Sequence, residues 1–322
     1  MKLSTAFAAA AALSLGACGD RDTPLAPSHD QHRFSVQTQP GTTIAFSSDR
    51  DNPSQSTEIY VMDAGGSNQR QLTETDGNSN GPAWSPNGRQ IAFHSNRGGG
   101  LGESDIYVMN ADGGDVARLT NLTALGLGGA HFANWSPDGQ KVVFNSFFGG
   151  QPKREIYTIN TDGTGLVNLS NHAADDIRAD WSPDGRSIAF MSNRDGDMEI
   201  YVMNADGTDA VPLTENLRTD AAPEWSPDGR YIAFSSNRSG TDEIYVMNAD
   251  GSEQTRLGSG VQGTKPSWSP DGQSIAFHRS VAGHLQIFTM SAEGTNVTPI
   301  TEPSSEAFNG FPSWAQGRGS LQ

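Results

Sequence analysis

WSPDGRSIAF, residues 181–190, is the stretch whose reading decides the fold. A Trp precedes a four-residue turn, and an apolar run follows it. In SPDG (182–185) the Pro presets φ for the first turn position and the Asp tolerates the next. Gly185 can then take the left-handed conformation that ends a three-residue hairpin. Downstream, EIYVMN (199–204) runs into a second turn, NADG (204–207), whose Asn favours side-chain-to-backbone bonding. Two tight hairpins in succession make a four-stranded meander. Its strands are the stretch ending in RADW, then SIAF, EIYVMN and AVPLT.

The unit recurs along the chain. Copies of the first turn are SPNG (85–88) and SPDG (136–139, 226–229 and 269–272). Copies of the second are NADG (110–113, 248–251), NTDG (160–163) and SAEG (291–294). The six Trp residues stand at 84, 135, 181, 225, 268 and 314, with spacings of 51, 46, 44, 43 and 46. A period of about 45 with several short strands per unit is the signature of a propeller. The IAF-like strand occurs six times, at 44–46, 91–93, 142–144, 188–190, 232–234 and 275–277. The IYVM-like strand also occurs six times, from 59–62 to 287–290. The first copy has only QTQPG (37–41) where a Trp strand belongs, and FPSW (311–314) has no strands after it. The expected fold is therefore an all-β, six-bladed propeller of four-stranded antiparallel blades. FPSW supplies the innermost strand of the blade formed by residues 42–73, one strand from the end closing on three from the start. FSV (34–36) is the other candidate for that place. A closed ring leaves few free edges.

The run W-S-P-D-G-x-x-I-A-F, then E-I-Y-V-M-N-A-D-G, then L-T resembles the TolB-type propeller repeat, PD40, over roughly residues 40–315. The resemblance implies the fold and, for function, a non-catalytic envelope protein that binds a protein or peptide. The repeat's own residues belong to strands, turns and packing, so function has to be sought elsewhere on the ring. TolB carries an α/β domain ahead of its propeller. Here only a short tether is read there, so a free-standing propeller is expected.

Residues 1–17 read as a signal peptide, with Lys2 as the positive region and AFAAAAALSL (6–15) as an apolar stretch too short to span a bilayer. LGAC (15–18) resembles a bacterial lipobox, which makes Cys18, the sole cysteine, the lipidation site. Residues 18–37 are polar and Pro-containing and read as a flexible tether, leaving 38–322 for the propeller. Gly19 rather than Asp after the Cys favours the outer membrane, facing the periplasm. With 37 acidic and 21 basic residues the net charge is −16. No basic run is present, which excludes nucleic acid as a partner. The chain is expected to act as a monomer anchored to the membrane through lipid.

Chain direction places the SPDG and NADG turns on one face of the ring. The loop after IAF and the connection from LT to the next Trp lie on the other. The first face is uniform and the second varies, so binding is expected on the second. The connection TNLTALGLGGAHFAN (120–134) contributes Leu122, Leu125, Leu127, His131 and Phe132, and NSFFGGQPKRE (145–155) adds Phe147 and Phe148. These apolar residues either pack on the neighbouring blade or form a patch for a partner. Before each Trp stand Ala83, Asn134, Asp180, Glu224, Ser267 and Ser313. Asn134, Asp180 and Glu224 are expected to rim the channel. With Asp175, Asp176 and Asp220 they offer oxygens to a basic peptide or to calcium, which needs six to eight converging ligands; no other cofactor is read.

His94 and His278 follow equivalent IAF strands, and His131 and His172 sit in adjacent connections. The rival reading is a carbohydrate-binding propeller or a metal-dependent lyase acting on acidic polysaccharide; a cluster of these at the channel mouth would suit the lyase, but no short His spacing supports it. No G-x-S-x-G elbow is present, so no hydrolase is expected. Arg50, Arg97, Arg194 and Arg238 follow their IAF strands, while Glu58, Asp105, Glu199 and Glu243 precede the paired strands. Cross-hairpin ion pairs between the two sets are expected.

Overall fold

In blade 4 the Trp strand Asp176–Trp181 pairs with Ser187–Ser192, that with Glu199–Asn204, and that in turn with the two-residue Val211–Pro212. This computed structural model describes residues 43–52, 56–97, 103–122, 128–147, 153–258, 260–302 and 306–315. Among them are six such antiparallel sheets of four strands. Cys18, Leu125, Leu127 and Phe148 lie outside the described residues. Blade 1 is Thr43–Ser48, Glu58–Asp63 and Arg70–Gln71, completed by Asn309–Trp314. The ring therefore closes through the C-terminal FPSW, with Ile44 opposite Trp314 and Ser48 opposite Asn309. The fourth strands are shorter than AVPLT suggested. Only two residues of each pair, which keeps the outer edge too short to recruit another strand.

The turns are held by the residues that define them. Ser182 Oγ bonds Asp184 Oδ1 at 2.6 Å and accepts the Ser187 N–H at 2.9 Å. Asp184 also accepts the Arg186 N–H, and these bonds hold its carboxyl below the usual range. In the second turn Gly207 has φ +90°, and a Cβ there would sit 2.4 Å from the Leu169 carbonyl oxygen of blade 3. Glycine is thus required both by the left-handed backbone and by the approach of the neighbouring blade.

Packing is between blades. Trp181, Ile188, Phe190, Tyr201 and Met203 of blade 4 enclose Val143, Ile156, Leu169 and Ala179 in one buried cluster. Leu122, from the connection 120–134, is buried in the cluster between blades 2 and 3. That settles one apolar residue of the connection as packing.

The expected cross-hairpin ion pairs are corrected by the structure. Arg194 turns inward, accepted by Asp176 Oδ2 (3.0 Å) and Ser192 Oγ, and lies over the Phe190 and Tyr201 rings at 5.2 and 4.8 Å. Arg238 does the same with Asp220, Ser236, Phe234 and Tyr245. Arg50 and Arg97 lie over the Phe–Tyr pairs of their own blades. The acids serve the fourth strand instead. Glu199 Oε2 accepts the Thr214 hydroxyl, and Thr214 Oγ1 in turn accepts the Ile200 N–H. Glu58–Thr73 and Asp105–Thr120 repeat this arrangement. The physical reason is that Thr of each LT ends beside the acid, whereas the Arg is drawn to the aromatic face, worth about 0.5–1 kcal/mol where exposed.

Candidate functional site

Each innermost strand enters from the variable face and leaves at its Trp, which in five blades is followed by the SPDG or SPNG turn. Midway, every one carries a bulge, for example between Ile177 and Asp180 and between Ala221 and Glu224. The bulged residue stands three before the Trp: Gly81, Phe132, Arg178, Ala222, Lys265 and Phe311. All six have φ between +53° and +59°. For the five that are not glycine this left-handed backbone costs roughly 1–2 kcal/mol each. Pro82, Pro223, Pro266 and Pro312 follow the bulge in four blades. Proline is tolerated because the innermost strand has no sheet partner on its channel side.

What holds the bulges is a hydrogen bond from blade to blade. The residue after IAF accepts the bulged N–H of the next blade. Ser47 Oγ accepts from Gly81, His94 Nδ1 from Phe132, Asn145 Oδ1 from Arg178, Ser235 Oγ from Lys265 and His278 Nδ1 from Phe311. Blade 4 carries Met191 there. His94 and His278 are buried. Burial pushes His278 down to about 3 and His94 well below its ordinary value, so both are neutral acceptors. The four histidines do not gather: His94 and His131 lie with ring centroids 5.1 Å apart, His278 packs on Phe311, and His172 is exposed and caps the Ala174 N–H. Among the described residues no group of three or more His, Cys, Asp or Glu is placed to hold a metal ion.

The bulges aim four side chains at the axis. Phe132 and Phe311 meet across Gly81 with centroids 5.9 Å apart. The Arg178 guanidinium lies 4.0 Å from the Phe132 centroid and 5.8 Å from that of Phe311. Lys265 Nζ is 5.5 and 5.9 Å from the same two rings. Neither cation has a carboxylate within 4.0 Å among the described residues, and Arg178 Nη1 is shut off from water without a partner. Burial draws Arg178 down to about 10, and burial together with Arg178 lowers Lys265 against the smaller opposing pull of Glu224 and Asp180. Desolvation costs several kcal/mol per ion, whereas cation–π contact returns about 0.5–2 kcal/mol. The two charges are undercompensated.

Two residues further along, the pre-Trp positions face the channel at its SPDG end rather than at the variable-face mouth. Asp180 Oδ2 accepts the Trp225 N–H (2.8 Å) and Glu224 Oε1 the Trp268 N–H (2.9 Å), while Asn134 donates to the Ala179 carbonyl (3.0 Å). Each thus ties its blade to the next. Burial raises both carboxyls, and Asp180 raises Glu224 further. Asp175, Asp176 and Asp220 are each taken up by an arginine: Arg154, Arg194 and Arg238.

His131 is half-buried beside His94 and Phe132. Phe147 lies under the Arg154 guanidinium at 5.6 Å. Of the residues the sequence singled out, the channel brings Phe132, Asn134 and Glu224 together with Gly81, Arg178, Lys265 and Phe311 around one cavity. The last three cationic and aromatic members were missed. The signal was present as the column three before each Trp, where text that is otherwise uniform reads G, F, R, A, K, F.

A six-bladed ring of four-stranded antiparallel sheets defines the class: a β-propeller. The TolB beta propeller domain family, PD40, matches residues 32–130, 123–220 and 212–319, and the chain belongs to that family. Among solved structures it is similar to TolB from Acinetobacter baumannii, at 23% identity and TM-score 0.71, covering 85% of this chain and 67% of that one. It is also similar to a putative TolB from Agrobacterium tumefaciens (22%, TM-score 0.62, 84% and 96%). An oligogalacturonate lyase in complex with manganese shares the fold at 15% identity and TM-score 0.60, over 83% of this chain and 75% of that one. No curated protein sequence matches.

Proposed function

We propose that this chain is a non-catalytic lipoprotein of the bacterial cell envelope whose propeller binds a protein or peptide partner. Cys18 carries the lipid, residues 18–37 give reach, and the outer membrane, with the ring facing the periplasm, is the location. The observation that carries the reading is the Phe132–Phe311 pair, aimed into the channel from the variable face by strained backbone. Family membership supports it, since the other matched chains include TolB proteins of two bacteria. His131 and Phe147 extend the contact surface outward over blade 3, and Asn134, Asp180 and Glu224 fix the channel wall beneath.

Chemical cross-linking and pull-down from envelope extract test this. The wild-type protein is expected to capture a defined species that a Phe132→Ser, Phe311→Ser double variant loses while remaining folded by circular dichroism. Undiminished capture by the folded variant would remove the channel mouth from the site.

A further inference from the structure

We propose that the channel contains an anion subsite, formed by Arg178 and Lys265 against the Phe132–Phe311 pair, that takes a single carboxylate of a partner peptide. This deepens the protein-binding reading above and rests on it.

Three observations converge. The first is charge without a contacting counterion: both cations lie within 6 Å of both rings, neither is in a contact ion pair, Glu224 and Asp180 act on Lys265 only from a distance, and Arg178 Nη1 is buried with no acceptor. An anion between them would supply that acceptor and relieve the repulsion that Arg178 exerts on Lys265. The second is space. The cavity lined by these residues is ≈ 40 Å³. At about 10–15 Å³ for each water, that is room for roughly three waters, enough for one carboxylate. The third is the position of the channel's own acids. Glu224 lines the same cavity and Asp180 lies behind its wall, each engaged by a Trp N–H of the next blade, and burial favours their neutral forms. They do not fill the gap between the cations. Gly81 and Ala222, the two small members of the ring, leave it open. The flanking phenyl faces admit an apolar neighbour of the carboxylate, so a peptide terminus or an acidic side chain next to an apolar one fits best.

The test titrates purified protein with sodium acetate against sodium chloride at constant ionic strength, following the Lys265 Cε resonance by NMR. A saturable shift in the millimolar range is expected. Arg178→Met should weaken it about 10-fold, the loss of one charge-assisted hydrogen bond. Lys265→Arg should retain binding, read on the Phe132 and Phe311 ring resonances. No saturable response in folded wild-type protein overturns the proposal, as does an equal response in Arg178→Met. Should that variant fail to fold, Lys265→Met, followed on the same ring resonances, takes its place with the same expectation. Three peptides then separate the sources: an apolar tripeptide acid, its C-terminal amide, and an amidated tripeptide with an internal aspartate. Acid-only binding assigns a terminus and binding of the third assigns a side chain; binding of the plain amide overturns the subsite. If acetate binds but envelope extract yields no partner, the protein-binding reading fails and the anion site stands. If a partner is captured with no acetate response, the reverse holds.

Discussion

His278 makes one hydrogen bond that matters to the ring, accepting the Phe311 N–H at 3.2 Å through an unprotonated Nδ1. Lys265 and Arg178 face it across the channel wall, and both oppose its protonation. Its folded pKa, about 3, lies below the unfolded value of 6.5. The unfolded chain therefore binds the proton first, and the stability His278 contributes is full above pH 6.5 and lost as pH falls toward 3. By pH 4 the loss reaches about 3 kcal/mol, at 1.36 kcal/mol per pKa unit. Asn145 of blade 3 shows that an amide oxygen does the same work, accepting the Arg178 N–H of blade 4. Thermal melts of a His278→Asn variant should therefore decline less than wild type between pH 6.5 and pH 4. Parallel decline would mean that His278 is not the titrating group.

At the scale of the strand, Glu224 joins blade 5 to blade 6 by accepting the Trp268 N–H and a side-chain hydrogen bond from Ser267. Glu224→Gln keeps an oxygen acceptor there and should be nearly neutral. Glu224→Leu leaves a buried N–H unsatisfied and should cost about 1–3 kcal/mol in urea unfolding. Equal stabilities for Gln and Leu would show that the bond is not what Glu224 contributes. This tie was not legible beforehand. The sequence places Asp180 and Glu224 on innermost strands, and that much is right, because strand and turn signals are local. Which end of the channel they occupy depends on strand direction, and what they accept depends on the neighbouring blade. The same limit hid Arg178, Lys265 and Phe311: their bulges are register shifts between paired strands, with a positive φ that no residue type here announces. Strands, turns and blade number were readable because each copy repeats the same local solution. The channel was not, because its chemistry arises where six copies differ.

At the scale of the whole ring, closure depends on a strand far from its partners in sequence. Asn309–Trp314 hydrogen-bonds to Thr43–Ser48, and Trp314 packs with Ile44, Phe46, Ala276 and Ile287 between blades 1 and 6. Without it, Thr43–Ser48, now buried along its whole length, becomes an open edge of apolar TIAFSS. Phe311, one wall of the anion subsite, goes with it, and with it the N–H that His278 accepts. Cavity costs of about 3–5 kcal/mol for Trp alone approach the whole stability margin of an ordinary domain. A chain ending at residue 305 should therefore lose cooperative thermal unfolding and elute as aggregates in size-exclusion chromatography. Trp314→Ala should keep the elution volume of wild type but melt well below it, because the strand's backbone pairing survives. A monomeric truncated chain with an undiminished melting temperature would show that the five remaining blades do not need the C-terminal strand to hold the ring.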